Sequence, residues 1–187
     1  MRFEAFDWRE LSENVFTLVS KDWMLITAAL PPGEPGQEAM DGDGRPAWNT
    51  MTASWGGFGH LWNRDVAFVF VRPTRYTYRF MESSKGFTLS FFGEAHRKAL
   101  QVCGAVSGRE HDKAAMAGLT PRAFGDPERG WTAFEEARLV LGCTTVHSQD
   151  LDPRGFIDPS IASNYDNRDW HRLYVGAIEA AWKGIPE

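Results

Sequence analysis

Short apolar segments recur along the chain and alternate with turn-forming residues, a pattern typical of a protein built mainly from β-strands. Residues 23–28 and 66–71 are almost continuously apolar, as expected for buried strands. The connections between such segments are mostly too short or too irregular for repeated strand–helix–strand units. The pattern therefore predicts a mainly β fold, an antiparallel β-barrel with a few helices packed outside it.

The remaining segments extend this prediction along the chain. We expect further strands at 14–19, 49–54, 87–92, 134–146 and 173–182, and helices at 7–11, 75–83, 96–106 and 112–117. Thr74 is the expected N-cap of the helix at 75–83, and Gly86 is expected to end that helix. The sequence has no repeat and no linker, so residues 1–187 are interpreted as one domain.

Composition and charge exclude several classes of protein. The net charge is −5 and the sequence has no run of Lys or Arg, which argues against general nucleic-acid binding. The longest apolar runs are too short to cross a bilayer, and the N-terminus lacks the apolar core of a signal peptide. Cys103 and Cys143 lack metal-ligand spacing and are expected to be reduced thiols. We therefore expect a protein of the cytoplasm.

Aromatic residues are abundant, with eight Trp and thirteen Phe in the chain. Two interpretations stand at this stage. The large rings fill the core of the barrel, or some of them form the walls of a flat ligand site or a dimer interface.

The clearest candidate binding site is at residues 71–77, where a proline stops a predicted strand and a helix begins at once. The start of a helix offers unpaired backbone N–H groups and a partial positive charge. Arg72, Thr74, Arg75 and Thr77 lie at the same place, which suits a phosphate dianion. The alternative is that Thr74 only caps the helix and that both arginines are solvated.

Lys113 lies in a polar, glycine-containing turn that leads into the helix predicted at 112–117. It either adds a cation to the same phosphate site or is an ordinary surface lysine.

A second candidate site is the hydroxyl-rich segment 49–54, where a strand presents backbone N–H groups to the edge of a ligand. A heterocycle such as flavin needs donors along that edge, and Met51 and Trp55 are placed to flank its ring. The alternative is an ordinary Thr-rich strand. Gly56, Gly57 and Gly59 lack the spacing of a dinucleotide-binding motif and are expected to allow a tight turn or a close approach.

His171 precedes the last predicted strand, where it either reaches an adjacent pocket or serves as a capping or surface histidine. The five histidines form no zinc-hydrolase motif, and the serines lie in no nucleophile elbow. Neither class of hydrolase is therefore expected.

Taken in order, these segments resemble the flavin-reductase-like family and, within it, the flavoredoxin-type branch. The resemblance covers most of the chain, and the ordered set of segments is specific to the family. The matching segments are KDWMLITA (21–28), NTMTASWGG (49–57), RPTRYTYRFM (72–81), CGAVSGREHDK (103–113), AGLTP (117–121), FEEARLVLGC (134–143), QDL (149–151) and DWHRLYVG (169–176).

The resemblance implies an antiparallel, Greek-key-type split barrel that binds FMN non-covalently at the interface of a homodimer. It implies that His171 lies near the nicotinamide and the flavin, as the candidate catalytic residue that positions the reactants. The cofactor-binding residues that it implies are Asn49, Thr50, Met51, Thr52, Ala53, Ser54 and Trp55 along the isoalloxazine ring, Arg72, Pro73, Thr74, Arg75, Tyr76 and Thr77 at the phosphate, and also Ser90 and Lys113.

The expected activity is the reduction of FMN by NADH or NADPH, with hydride delivered to flavin N5. The reduced flavin then leaves, or electrons pass to an acceptor protein. Two alternatives are kept: a non-enzymatic FMN electron carrier, and a split-barrel sensor or storage protein that binds flavin or haem.

Two features depart from the family pattern. Ala177 follows Gly176, where similar proteins often carry Glu. Residues 31–46 hold four Pro, four Gly and four acidic residues, and this predicted surface loop or hairpin end is longer and more acidic than expected. Ala177 is expected to remove a polar contact, and the loop is expected to change the mouth of the pocket and with it the choice of reductant or acceptor.

Overall fold

A computed structural model describes residues 2–31, 48–126 and 129–185. The strands are β1 (Arg2–Ala5), β2 (Met24–Ala29), β3 (Trp48–Ala53), β4 (Gly56–Leu61), β5 (Arg64–Val71), β6 (Gly86–Phe91), β7 (Pro121–Ala123), β8 (Thr132–Phe134), β9 (Leu139–Asp150) and β10 (Arg172–Ile185). The helices are α1 (Val15–Thr17), α2 (Tyr76–Ser83), α3 (Arg97–Ala105) and α4 (Lys113–Ala117), with a π-helical turn at Leu18–Asp22 and 3₁₀ turns at Trp8–Glu10, Glu94–His96, Pro153–Gly155 and Pro159–Asn164.

The main sheet curls into a barrel. Its strands pair in the order β3-β2-β6-β9-β10-β5-β4, all antiparallel, and β1 adds to β10. The two ends of this path, β3 and β4, are joined by Ser54 and Trp55 alone, which keeps them within about 11 Å of each other. Gly56 lies against β2, because a Cβ built on it would be 3.1 Å from the terminal methyl carbon of Met24. The predicted antiparallel barrel is confirmed.

Alternation of side chains along β6 separates two apolar layers. Phe87, Leu89 and Phe91 belong to the core inside the barrel. Thr88 points the other way, and its hydroxyl donates to the carbonyl oxygen of Thr132 in β8. Helices α3 and α4 and the β7–β8 hairpin cover this outer face with a second apolar cluster that includes Leu100. Among the described residues, no helix has the length and apolar character needed to span a membrane.

Strand β10 passes close to the ring of Phe87 at Gly176. A Cβ built on Gly176 would lie 2.5 Å from the Phe87 ring and 2.9 Å from the Cβ of Cys143. Because real Cβ atoms do not approach so closely, this crossing requires glycine.

The strand predicted at 14–19 is wrong. The side chain of Asn14 accepts hydrogen bonds from the backbone N–H groups of Phe16 at 3.0 Å and Thr17 at 3.2 Å, so it caps a helical start. The chain then stays helical through Asp22. The apolar pattern of this segment therefore belongs to a helical entry into the barrel.

Two predicted boundaries are also wrong. The strand predicted at 134–146 divides into β8 and β9, separated by a turn in which the N–H of Ala137 donates to the carbonyl oxygen of Phe134. Gly86 does not end α2; it is the first residue of β6, and Ser84 is the C-cap of the helix. Residues 32–46 of the predicted surface loop lie outside the described residues.

Thr74 is not the N-cap of α2. The N-cap is Arg75, without a capping side-chain hydrogen bond. The hydroxyl of Thr74 donates instead to the carboxylate of Asp169, at 3.1 Å.

Candidate functional site

The candidate site lies at one end of the barrel and begins with two aromatic residues on neighbouring strands. Gly56 of β4 pairs with Val69 of β5, so the residues beyond this pair, Trp55 and Phe70, are brought side by side. Trp55 is 45% exposed, which is unusual for so large an apolar side chain and places it at the rim.

The register between β5 and β10 adds two polar residues at the same end. Val71 pairs with Arg172, so the residue that follows β5, Arg72, lies beside His171, which precedes β10. The imidazole of His171 also faces the two aromatic rings. Its ring centre is 5.1 Å from that of Trp55 and 6.4 Å from that of Phe70.

These strand ends surround a cavity of about 270 Å³. Its walls combine apolar side chains with the hydroxyl-bearing residues Thr52 and Ser54, and only two of its described lining residues, Arg72 and His171, are titratable. Such a cavity suits a flat ring with a few polar atoms on its edge. The lining residues are Met51, Thr52, Ala53, Ser54, Trp55, Phe70, Arg72 and His171.

His171 is neutral near pH 7. Burial, followed by the positive charge of Arg72, lowers its pKa from 6.5 to about 4, although Asp169 acts in the opposite direction. Its Nδ1 lies 2.9 Å from the hydroxyl oxygen of Tyr165, within hydrogen-bond distance. Since Tyr165 uses Nδ1, Nε2 is the ring nitrogen available to a ligand.

Arg72 is held by residues 151–170, the connection between β9 and β10, which we call the strap. Its Nη1 donates to both carboxylate oxygens of Asp169, at 3.1 and 3.2 Å, and its Nη2 donates to the carbonyl oxygen of Asn164 at 2.7 Å. Burial raises the pKa of Asp169, but hydrogen bonds from Arg72 and Thr74 outweigh it and leave that pKa below its ordinary value. Arg72 therefore has an ionised counter-ion within its own chain.

Two further cations, Arg75 and Lys113, lie beside β3. Lys113 is only 5% exposed, and its Nζ donates to the carbonyl oxygens of Thr50 at 2.8 Å and Cys103 at 3.0 Å. Nη2 of Arg75 donates to the carbonyl oxygen of Gly104 at 2.7 Å. Lys113 is therefore no surface lysine, and both cations are anchored on the end of α3.

The charges of Arg75 and Lys113 lack a carboxylate partner among the described residues. Burial, and then the charge of Arg72, lowers the pKa of Arg75. Burial, and then the charge of Arg75, lowers the pKa of Lys113 from 10.5 to about 8. Arg72 thus repels Arg75, Arg75 repels Lys113, and of the three cations only Arg72 has a counter-ion within the described residues. The potential around Arg75 and Lys113 favours an anion.

Several predicted site residues lie away from the cavity. Asn49 and Thr77 are buried, and the Asn49 amide donates to the Thr77 hydroxyl at 2.8 Å, which ties β3 to α2. The hydroxyl of Thr50 lies 2.9 Å from that of Thr27 on β2. These side chains hold β3 in place.

Four more predicted residues also lie outside the cavity lining. Ser90 is fully buried, and its hydroxyl oxygen finds no hydrogen-bond partner within the described parts of the chain. Pro73 and Thr74 are exposed. The ring of Tyr76 lies under the guanidinium of Arg109, whose central carbon is 4.8 Å from the ring centre.

Sequence reasoning missed three residues of the site: Phe70, Tyr165 and Asp169. Phe70 belongs to the site because of the register between β4 and β5, which cannot be read from the sequence. Tyr165 and Asp169 lie six and two residues before His171, so their closeness to a candidate histidine was the available signal.

Solved structures with the same architecture define the class as a split barrel. Flavoredoxin from Methanosarcina acetivorans is 20% identical with a TM-score of 0.61, covering 89% of this chain and 74% of that chain. An FMN-binding domain of a flavin reductases-like enzyme from Shewanella baltica OS155 is 15% identical with a TM-score of 0.63, covering 98% and 78%. A split-barrel protein of the flavin reductase type from Shewanella frigidimarina NCIMB 400 is 15% identical with a TM-score of 0.59, covering 89% and 71%.

The sequence itself gives the family. The family described as Flavin reductase like domain matches residues 21–184, which is most of the chain. The chain therefore belongs to the flavin reductase-like domain family, and both the predicted family and the predicted split-barrel fold are confirmed. No curated protein matches the sequence.

Proposed function

We propose that this protein binds FMN and works as an NAD(P)H-dependent flavin reductase. Membership of the flavin reductase-like family supports the proposal, and so does the similar fold of an FMN-binding domain from Shewanella baltica. The observation that carries it is the pair of cations formed by the half-buried Arg75 and the buried Lys113, which lies beside β3 next to a ring-sized cavity.

The spacing between cations and cavity fits a ring joined to a phosphate by a flexible chain. Lys113 contacts the carbonyl oxygen of Thr50, whereas Met51 and Thr52, one and two residues further along β3, line the cavity. Since a strand rises about 3.3 Å per residue, the ammonium contacts β3 about 3 to 7 Å from these lining residues. The residues present therefore fit FMN, with its ring at the cavity and its phosphate at Arg75 and Lys113.

This assignment refines the phosphate site expected from sequence. Arg72 and Thr74 both donate to Asp169, so neither offers an uncompensated charge or a free hydroxyl proton to a phosphate. Arg75 has no such partner among the described residues, and α2 begins directly after it. The first N–H groups of α2 add to the positive potential there.

Bound FMN would supply the redox chemistry by accepting hydride from a nicotinamide at N5. The chain contributes positioning. Trp55 and Phe70 offer flat apolar walls, and the neutral imidazole of His171 offers Nε2 to a polar atom of a ring. Its low pKa makes His171 a positioning group at neutral pH and a poor source of protons.

The proposal includes a homodimer in the cytoplasm, as the family resemblance implies. Large apolar side chains are exposed at Phe16, Trp55 and Trp62, which is consistent with contact between two copies. Sedimentation equilibrium checks the oligomeric state, and a monomer at all accessible concentrations would remove this part of the proposal.

The decisive experiment is the absorption spectrum of the purified protein, followed by anaerobic titration with NADH and NADPH. We expect the spectrum of an oxidised flavin, bleached by one of the two nicotinamides. A Soret band would instead indicate haem. Flavin that NAD(P)H cannot bleach would favour an electron carrier, an alternative supported by the similar fold of flavoredoxin.

A further inference from the structure

In the part of the chain that the structure describes, the positive charge of Arg72 at the cavity wall is matched by a single carboxylate, that of Asp169. The contact is bifurcated, since one guanidinium nitrogen of Arg72 reaches both carboxylate oxygens of Asp169. The side chain of Asp169 is only 11% exposed and that of Arg72 is 31% exposed. This pair is therefore partly desolvated, unlike the mobile ion pairs of an open surface.

The strap holds Asp169 in this position. Arg72 also donates to the carbonyl oxygen of Asn164, and its guanidinium carbon lies 5.1 Å from the ring centre of Tyr165. The Tyr165 ring in turn packs on Trp170 at 4.7 Å, the residue next to Asp169. An anion that reached Arg72 would have to displace a carboxylate fixed by several independent contacts.

The cavity consequently has no net charge at neutral pH. Of its described lining residues only Arg72 and His171 are titratable; the first is balanced by Asp169, and the second is neutral. Its volume of about 270 Å³ exceeds the roughly 150 Å³ that encloses a benzene molecule, so a substituted six-membered ring fits. Beside β3, by contrast, Arg75 and Lys113 keep uncompensated charges. The two places favour ligands of different charge.

We infer that Asp169 is a specificity-determining residue, which reserves the cavity for an uncharged ring and excludes rings that carry a carboxylate. By occupying Arg72 it also directs the anionic part of a ligand to Arg75 and Lys113. This inference rests on the proposed function, because the proposed function assigns the uncharged ring of the flavin to the same cavity.

The test compares two probes of the same shape, benzamide and benzoate, of which only benzoate is charged at pH 7. Each is titrated into flavin-free protein, where the cavity is open, with tryptophan fluorescence as the signal, and in competition with FMN, with the flavin absorption band as the signal. Wild-type protein is expected to bind benzamide more tightly than benzoate. Asp169→Asn keeps an acceptor for Thr74 but frees the charge of Arg72. We expect it to raise benzoate affinity tenfold or more, with benzamide changed less than threefold.

The matched control is the double variant R72Q/D169N, which restores an uncharged pair of similar shape and is expected to bind benzoate as weakly as the wild type. Equal gains for both probes in Asp169→Asn, or no gain for benzoate, would overturn the inference. So would a lack of binding by either probe to every variant. If FMN itself fails to bind, the proposed function falls, whereas the titrations of flavin-free protein still decide the role of Asp169.

Discussion

Lys113 donates to the carbonyl oxygen of Thr50 at 2.8 Å, so a buried ammonium fastens α4 to the edge strand β3. Its second acceptor is the carbonyl oxygen of Cys103. An ammonium has three N–H donors, and these two bonds leave one N–H without a partner among the described residues. That donor and its unpaired charge make Lys113 the most informative residue for testing the phosphate site.

Replacement of Lys113 by Met is expected to weaken FMN at least tenfold more than riboflavin, because only FMN carries the phosphate. A charge-assisted hydrogen bond contributes about 1.5–3 kcal/mol. Isothermal titration calorimetry with both flavins measures the difference. The matched control is Lys98→Met, at an exposed position of α3, which is expected to leave both affinities unchanged. An equal loss for FMN and riboflavin would remove the phosphate from this site.

The affinity for FMN is expected to fall as pH rises above about 8. Burial, and then the charge of Arg75, lowers the pKa of Lys113 from 10.5 to about 8, so the free protein loses this charge above that pH. A bound dianion favours the protonated amine and raises its pKa, so binding takes up a proton. The affinity should then decrease by up to about tenfold per pH unit. Titrations from pH 7 to 9 measure this slope.

Two control titrations test whether the pH dependence of FMN affinity arises from Lys113. Riboflavin, which lacks the phosphate, is expected to bind with little pH dependence in the same range. The Lys113→Met protein should show a flat profile for FMN as well. An FMN affinity that is independent of pH in the wild type would contradict the assignment.

His171 is expected to make the fold less stable in acid. Burial, and then the charge of Arg72, lowers its pKa from 6.5 to about 4, so the unfolded chain binds the proton more readily than the native state. The stabilisation is present above pH 6.5 and is lost as the pH falls towards 4, by on the order of 2–3 kcal/mol. Urea unfolding at several pH values measures it. His171→Gln should flatten the dependence, and an NMR titration of His171 with a midpoint near 6.5 would disprove the shift.

Gly176→Ala is expected to destabilise the protein by about 2 kcal/mol or more, because the added Cβ would lie 2.5 Å from the Phe87 ring. The matched control is Gly57→Ala, where no atom lies within 4 Å of the added Cβ and the change should stay within about 0.5 kcal/mol. Thermal or urea unfolding compares them. Adding Phe87→Leu should recover part of the loss in the first variant; equal stability of both single variants would refute the close crossing.

The β4–β5 hairpin offers a test of backbone conformation. Leu61 pairs with Arg64, and the two residues between them, Trp62 and Asn63, have φ values of 51° and 56°. Two positive φ angles define a type I′ turn, which favours glycine at the second position. Asn63→Gly should raise the free energy of unfolding by about 0.5 kcal/mol, and Asn63→Val should lower it by about 1 kcal/mol or more. The opposite order would exclude this turn type.

The local sequence pattern was sufficient to predict the elements at the core of the fold. The apolar segment 23–28 predicts β2 within one residue, and the helix at 112–117 is confirmed as α4, capped by Asp112 and ended by Gly118 with a φ of +66°. These features depend on neighbours in the sequence. The strand prediction at 14–19 failed because the side chain of Asn14 caps a helical start, although the apolar pattern of the segment is typical of a strand.

Long-range contacts explain what the sequence could not predict in the site. Thr74 was expected to cap α2, but its hydroxyl donates to Asp169, 95 positions along the chain. Lys113 was weighed as a surface lysine, yet its burial depends on a carbonyl oxygen 63 positions away. The resemblance implied Arg72 at the phosphate and His171 near the flavin, whereas both line one cavity because the register of β5 and β10 brings them side by side.

The short link between β3 and β4 has a mechanical consequence. Ser54 and Trp55 connect β3 to β4 across the seam of the barrel, the place where the two ends of the sheet meet. The same two residues also form part of the cavity wall. Any widening of the seam must therefore stretch the cavity, and a molecule that fills the cavity resists that widening in return. Occupancy is thus expected to slow amide hydrogen exchange along β3 and β4 more than along β9, which lies midway between the two ends of the sheet.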